Sequence, residues 1–414
     1  MRRDPARGSV NGGCLDRTAR AAGARIIGAL AARFRDLDIA EDAFAEACAR
    51  AARAWPSSGE PRDPAAWLYR AAERSALDAV RRRKVRDRWA PSISGPDVSE
   101  PAAEDALIPD ERLRLIFICC HPAVAAEARA ALTLRLVCGL SVPEIARAFL
   151  VSEAALAQRL TRAKRKIARA GVPFETPRPP EWTQRLDAVL STLEVAYAKA
   201  HEDAAGSSAH AGFAREMLDL TGVLAELLPT HAEPHALAAL VRYAEARRPA
   251  RLDEHGAMVP LSEQDPRLWR RALIVEADAF LAKARSLGPA GARTLQAGLH
   301  GLWCARPSLD APAPWPAVLS HYDQLLAHRE DVVVRINRAV ALGEVSGVAA
   351  ALRELGSLDP AALAGFAPYH AVMADLLRRA GQREQAREAY RRVLALAPAE
   401  AERLWLTRRL TELG

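Results

Sequence analysis

Between Leu132 and Ala170 the apolar residues fall into two short helical patterns, parted by a tight break at Leu150-Val151-Ser152. Ile145, Phe149 and Leu150 stand at i, i+4 and i+5 and form the stripe of the first. Ser152 suits the N-cap of the second. There Leu156, Leu160, Ala163 and Ile167 follow at i, i+4, i+7 and i+11, a single face that must be buried. Arg159, Arg162, Lys166 and Arg169 recur at i, i+3, i+7 and i+10, which predicts a cationic face turned away from the core. A short helix, a tight turn and a longer basic helix make the helix-turn-helix layout, whose second helix enters the DNA major groove. A row of Lys and Arg on a surface helix is more often only solvated, so the spacing alone leaves the role open.

Upstream, Ile26, Ile27, Leu30 and Phe34 stripe a helix expected from about Thr18 to Phe34. The lead from Met1 to about Arg17 is Arg-rich but has no apolar signal core, is interrupted by Asp4 and Asp16, and is expected to be disordered. Asp38-Ile39-Ala40-Glu41-Asp42 opens a second helix to about Trp55, with its acids at the positive end of the helix dipole. Pro56 to Pro64 reads as a loop, and Pro64 suits the first turn of a third helix that runs to about Arg88. Arg70, Arg74, Arg81 and Arg88 share one side of it, and it ends in the basic run Arg81 to Arg86. Trp67 and Tyr69 lie upstream. Basic residues bind phosphates and aromatics stack on unpaired bases, although core packing is the commoner fate of a helical Trp. Trp89 to about Pro109, with four prolines and four acids, is a linker. Leu113, Ile116 and Phe117, then Ala130, Leu134 and Val137, supply helices that prop up the helix-turn-helix.

Pro173 to Pro180 is a second Pro-rich joint, and from Glu181 the pattern is helical to the end. His370 to Pro398 fits a tetratricopeptide repeat: Gly381 takes the inter-helix turn, and Ala386, Tyr390, Leu394 and Pro398 take the small, aromatic, apolar and terminating positions. Gly343 and Pro360 repeat the interval of Gly381 and Pro398 and point to a preceding repeat; Gly212 and Pro229 share the interval too. A helix pair cannot bury its face alone, so such units stack.

The chain has 414 residues, enough for more than one domain, and half of them are hydrophobic. Aromatics make up only 5%, which favours helices packed through small residues. The net charge of +7 permits a polyanionic partner without proving one. Six cysteines without a C-x-x-C pair read as reduced thiols in a cytoplasmic protein. Adjacent helical residues point about 100° apart, so Cys119-Cys120-His121 reads as buried structure rather than a metal site. His231 and His235 stand at i, i+4, but in H-A-E-P-H, where Pro234 disturbs the helix, and a structural role is favoured. Trp269, His300, Trp303, Trp315 and Tyr322 read as packing before groove lining. Neither a G-x-G-x-x-G, a P-loop nor a G-x-S-x-G occurs, so no enzyme, cofactor or metal is expected. No apolar run approaches the roughly 18 residues of a membrane span, so no membrane partner is expected.

The string Gly139-Leu140-Ser141, Glu144-Ile145-Ala146, Ser152-Glu153, Arg159-Leu160 and Arg162-Ala163 resembles the promoter-reading region four of bacterial sigma factors, in particular the extracytoplasmic-function (ECF) group. Ala40-Glu41-Asp42, the P-x-x-W-L-Y-R start at Pro64 and the L-D-x-V-R-R end at Leu77 resemble sigma region two; Ala45, Cys48 and Arg74 depart from the Gln, Phe and Asn common there. D-E-R-L-R-L-I-F-I-C-C-H-P, from Asp110, resembles the ECF subgroup that bears a large helical C-terminal extension. The resemblance implies an all-α fold with two small helical sigma modules and a tetratricopeptide-like domain. The boundaries are 18–88 for region two, 89–107 for the linker, 108–172 for region four, 173–180 for the joint and 181–414 for the helical domain. It implies that Asp38, Glu41, Asp42 and Glu46 dock on core RNA polymerase, and that Trp67, Arg70, Arg74, Asp78, Arg81, Arg82 and Lys84 engage the opened minus-ten strand. Ser152, Ala155, Gln158, Arg159, Arg162, Lys164 and Lys166 are expected at the minus-thirty-five element. Gln158 and Arg159 suit bidentate base contacts, and Arg162, Lys164 and Lys166 suit phosphates. The partners are then core polymerase, promoter DNA and a protein or peptide on the repeat domain. The alternative is a one-component helix-turn-helix regulator with a C-terminal sensor.

Overall fold

The computed structural model describes residues 6–87, 111–149, 151–172, 174, 179–203 and 208–414. The linker expected at 89–107 lies outside the described residues. Among them every regular element is helical, apart from one isolated bridge between Leu252 and Met258. The chain forms two compact units, Met1–Leu227 and Leu228–Gly414.

The first unit opens with α1 (Ala6–Phe34), α2 (Leu37–Ser58) and α3 (Pro64–Asp87), which pack on one another. α1 begins twelve residues upstream of Thr18, at Ala6; once a docked segment supplies the nucleus, each added turn costs little. α2 turns Ala40, Ala43, Ala47 and Ala51 inward, so its neighbours approach closely. Asp36 caps it, accepting from the N–H groups of Asp38 (2.9 Å) and Ile39 (3.1 Å). Its far end differs from the expected loop at Pro56. The helix carries Pro56 in its last turn and stops at Gly59, whose φ of 79° suits glycine and whose N–H reaches the Trp55 carbonyl. A proline so near the end removes only one backbone bond.

α4 (Glu111–Cys119), α5 (Ala126–Leu136), α6 (Val142–Ala148) and α7 (Glu153–Arg169) form the second module. Ile116, Phe117, Ala130, Leu134 and Val137 are buried there, as the pattern requires. Ser141 and Glu144 form a reciprocal capping box that starts α6, with the Ser141 N–H donating to the Glu144 carboxylate at 2.7 Å. Cys119 and Cys120 are buried; burial pushes the Cys120 thiol up to about 11, and both are inert core groups. α1 lies against α4 at Gly28, where an added Cβ would come within 2.7 Å of the Glu111 carbonyl oxygen.

Two further helices, α8 (Pro179–Asp203) and α9 (Ser208–Leu227), belong to this first unit, although the sequence pattern groups them with the C-terminal helices. α8 buries Leu186, Val189, Leu190, Leu193, Ala196 and Tyr197, and packs on α5 and α6. α9 touches both α1 and α4. It is continuous through Gly212, so Gly212 and Pro229 do not frame a helix pair.

The second unit runs through α10 (Ala232–Arg247), α11 (Arg271–Ser286), α12 (Ala292–Cys304), α13 (Trp315–His328), α14 (Val332–Val345), α15 (Val348–Gly356), α16 (Ala367–Arg379), α17 (Arg383–Ala395) and α18 (Glu400–Thr411). Its clusters overlap. One joins α12 to α13 and α14, the next joins α14 to α16, and a third joins α16 to α18. Gly381 takes a φ of 76° in the α16–α17 turn, and Ala386 and Tyr390 are fully buried. In the preceding pair the turn glycine is Gly347, with φ 88°, and not Gly343. Gly343 sits inside α14, where a Cβ would meet Leu376 at 3.2 Å and Ala351 at 3.3 Å. Trp269 and Trp303 are buried, and Trp303 stacks edge-on against Trp315 with centroids 4.9 Å apart. Pro234 falls in the first turn of α10, where its missing N–H breaks no bond, and His235 is buried.

The placement of α8 has a measurable consequence. Each fully buried Leu or Val is worth roughly 1.5–3 kcal/mol, so a chain ending at Pro180 should aggregate or melt well below one ending at Leu227. Equal thermal denaturation of the two would show that α8 is not part of the first unit.

Candidate nucleic-acid interface

The recognition-type helix α7 is built as its periodicity dictates. Ser152 takes an extended backbone, φ −69° and ψ 149°, and its Oγ accepts from the Ala155 N–H at 3.2 Å. Leu156, Leu160, Ala163 and Ile167 are all buried. Ser152, Ala155, Gln158, Arg162, Lys166 and Arg169 are exposed. Gln158 and Arg162, one turn apart, are joined by a hydrogen bond of 3.2 Å. Arg159 is half-buried and lies 3.6 Å from Glu127 at the start of α5. Together with Ala123, Val124, Ala125 and Ala128, these side chains line a groove of about 510 Å³. Its floor is alanine and its rim carries Arg159, Arg162 and Lys166, which suits a phosphate backbone beside the bases.

Lys164 departs from the rest of this set. It is turned from the exposed cationic side toward α2 and pairs with Asp38 at 2.5 Å and Glu41 at 3.1 Å. Burial pulls its pKa down, but the hydrogen bonds and charges of Asp38 and Glu41 outweigh that and raise it, so it is cationic at neutral pH. Arg135 of α5 completes the contact, donating to Glu41 at 2.8 Å and to the Leu140 carbonyl at 3.2 Å. Arg135 was not among the residues singled out in the sequence, although an arginine between the buried Leu134 and Leu136 is the available signal.

The acids expected to face polymerase therefore divide. Asp38 and Glu41 are paired with Lys164 and Arg135. Asp42 is exposed; partial burial raises its pKa, Lys164 pulls it back, and Asp38, Glu41 and Asp36 add to the rise. Glu46 pairs with Arg50 at 3.1 Å and Arg53 at 3.5 Å on its own helix.

On α3, Arg70, Arg74, Arg81 and Arg82 are exposed. Asp78 lies 3.8 Å from Arg81, one turn on. Lys84 is carried by the same helix, and its side chain lies outside the described ones. Trp67 is half-buried and packs edge-on against the buried Trp55, with centroids 5.6 Å apart, so one edge braces the core and the rest is available. Arg83 reaches back to the cap, donating to Asp36 at 2.9 Å.

A helix-turn-helix with an outward cationic face, joined to a three-helix module with an acidic helix start and a basic helix end, defines a promoter-binding class of protein. Residues 19–86 match Sigma-70 region 2 and residues 114–167 match Sigma-70, region 4. The chain belongs to the sigma-70 family of sigma factors. Residues 185–285 match a family of unknown function, DUF6596. An uncharacterized protein of Rhizobium meliloti (strain 1021) is 38% identical over 409 residues, covering 97% of this chain and 96% of the relative. No solved structure matches the chain. No helix among the described residues is long and apolar enough to cross a membrane.

Ser152 holds the first turn of α7. Ser152→Ala should destabilise the first unit by about 1 kcal/mol, lowering its melting temperature by roughly 2–4 °C, while Ser152→Asp keeps the cap and melts near the parent. Calorimetry of the three proteins checks this, and equal melting of Ser152→Ala and parent would refute the cap.

Proposed function

We propose that the protein is an ECF-type sigma factor that directs promoter-specific initiation by core RNA polymerase and is regulated through its C-terminal helical domain. The observation that carries this reading is the roll of α7. Its apolar face is buried while Gln158, Arg162 and Lys166 point outward, in a chain that also matches region two. On this reading α2 docks on polymerase through Asp38, Glu41, Asp42 and Glu46. α3 engages the opened minus-ten strand through Trp67, Arg70, Arg74, Asp78, Arg81, Arg82 and Lys84. Gln158 and Arg159 read minus-thirty-five base edges, and Arg162 and Lys166 hold phosphates. Chemistry is confined to binding. The helix pairs of the second unit, with the turn at Gly381 and the small-residue packing at Gly343, are of tetratricopeptide type and offer a surface to a protein or peptide.

A one-component regulator would use one helix-turn-helix and leave the region-two match without a role. Reconstitution with core polymerase separates the two: promoter-specific transcripts support the sigma reading, and promoter binding without initiation sinks it. Asp42→Arg and Glu46→Arg should each weaken assembly with core polymerase while leaving the fold intact, as read by titration; two variants that assemble like the parent would remove α2 from the docking surface. Arg159→Ala should lose roughly 1–3 kcal/mol at one or two base positions. Lys166→Ala should weaken all sequences alike and reduce the salt slope by about one. Binding to a panel of minus-thirty-five variants checks both, and a uniform loss for Arg159→Ala would move it to the phosphate class.

A further inference from the structure

The cations of the outward stripe on α7 are not equivalent. Arg162, Lys166 and Arg169 are exposed, and among the described residues none of them is paired with a carboxylate. Arg159 differs. Its Nη1 lies 3.6 Å from Oε2 of Glu127, in the first turn of α5. Arg159 lines the groove of about 510 Å³ between α5 and α7, and Glu127 sits in the chain between the lining residues Ala125 and Ala128. Charge is thus compensated at the position assigned to base reading and left uncompensated at the positions assigned to phosphates.

Glu127 keeps 79% of its side-chain surface and Arg159 keeps 32%. A pair so open to water adds next to nothing to stability, so its effect lies in charge and in aim. An acid beside a nucleic-acid surface weakens binding, because it repels phosphates. It also makes binding selective. An uncompensated arginine takes any phosphate within reach, and a phosphate contact carries no sequence information. With Nη1 turned to Glu127, the Nε–Nη2 edge of the guanidinium stays open, and its two parallel N–H donors match O6 and N7 of guanine. A phosphate on that edge would bring a second anion beside the carboxylate, whereas the neutral edge of guanine does not.

We propose that Glu127 is a positioning residue that sets the specificity of α7, holding Arg159 off the phosphates and aiming its open edge at a guanine. This rests on the promoter-reading role proposed for α7 above. Glu127 also suits the start of α5, where a carboxylate meets the positive end of the helix dipole and Ala125 supplies no side-chain cap. A role confined to the helix start predicts lost stability with unchanged specificity, so the two roles are separable.

The test uses the full chain assembled with core polymerase, on a panel of minus-thirty-five variants and on unrelated duplex DNA, over a range of salt. Glu127→Gln keeps the size of the side chain and removes its charge, and it should melt with the parent. It should bind unrelated DNA roughly threefold or more tighter at about 0.1 M salt, and steepen the salt slope by about one, as Arg159 turns to a phosphate. Its preference for guanine at the position read by Arg159 should fall by roughly threefold or more. In the Arg159→Ala background the same substitution should neither steepen the slope nor alter base preference, because the group it positions is gone. Parent-like discrimination in Glu127→Gln, or the same steeper slope with Arg159 removed, overturns the positioning role and leaves α7 as the reader. A loss of melting temperature with unchanged specificity assigns Glu127 to the start of α5 and overturns it too. If the parent itself does not distinguish minus-thirty-five variants, the reading role of α7 fails, and the role of Glu127 with it.

Discussion

The burial of Leu156, Leu160, Ala163 and Ile167 fixes the roll of α7 about its own axis, and the chemistry of the interface depends on that roll. Each large apolar side chain on this face is worth roughly 1.5–3 kcal/mol when buried. A rotation of one residue step, about 100°, would bring Arg159 or Lys166 toward the core, where an unpaired cation is strongly disfavoured. The apolar face therefore decides which polar residues look outward. Everything around α7 serves to hold that choice. α5 and α6 supply the apolar wall, the Ser141–Glu144 box starts α6, and Ser152 starts α7.

The region-two module reaches its stability by a different route. With few aromatics, α1, α2 and α3 pack through Ala31, Ala40, Ala43, Ala47, Ala51, Ala72 and Ala76, all buried. Small residues bring helix axes close, which multiplies dispersion contacts in place of large single side chains. Gly23 illustrates the tolerance: a Cβ there would stand 3.1 Å from the Phe44 ring. The exception is the Trp55–Trp67 pair. Trp55 seals the core, and Trp67 is held against it at one edge.

The C-terminal unit is stitched by polar as well as apolar contacts. Tyr243 donates to Asp278 at 2.6 Å, and burial first, then that carboxylate, pushes its pKa well up. Arg242 pairs with Glu276 at 3.0 Å and lies over the Phe280 ring at 4.4 Å. Further along, Arg335 and Arg338 of α14 share Glu354 of α15, and Arg379 of α16 reaches Glu344 of α14, so ion pairs bridge helices of the array. The DUF6596 match at 185–285 begins on α8 and ends on α11, and so runs across the division after Leu227. A family border drawn on sequence is here not a folding border: the apolar face of α8 completes the core of the first unit.

Local periodicity was enough to determine the all-helical class, the buried face of α7, the starts of α2 and α3 to within a residue, and the exposed cations Arg70, Arg74, Arg81, Arg162 and Lys166. Each of these follows from interactions within one or two turns of helix, and those are written in consecutive residues. The Gly381 turn was legible for the same reason. The preceding turn was displaced from Gly343 to Gly347, because an interval between glycines does not say which of them has a positive φ. Only the tertiary structure decided that α8 and α9 belong with the first unit, since an amphipathic helix shows the same pattern whichever core it covers. It alone decided the fate of Lys164, whose place in the cationic run marks it as a phosphate ligand. Its partner Glu41 lies 123 residues away, and that of Arg135 lies 94 away. A charge pair across such a distance leaves no periodic trace in the chain, because it is set by how whole helices dock and not by where each residue falls on its own.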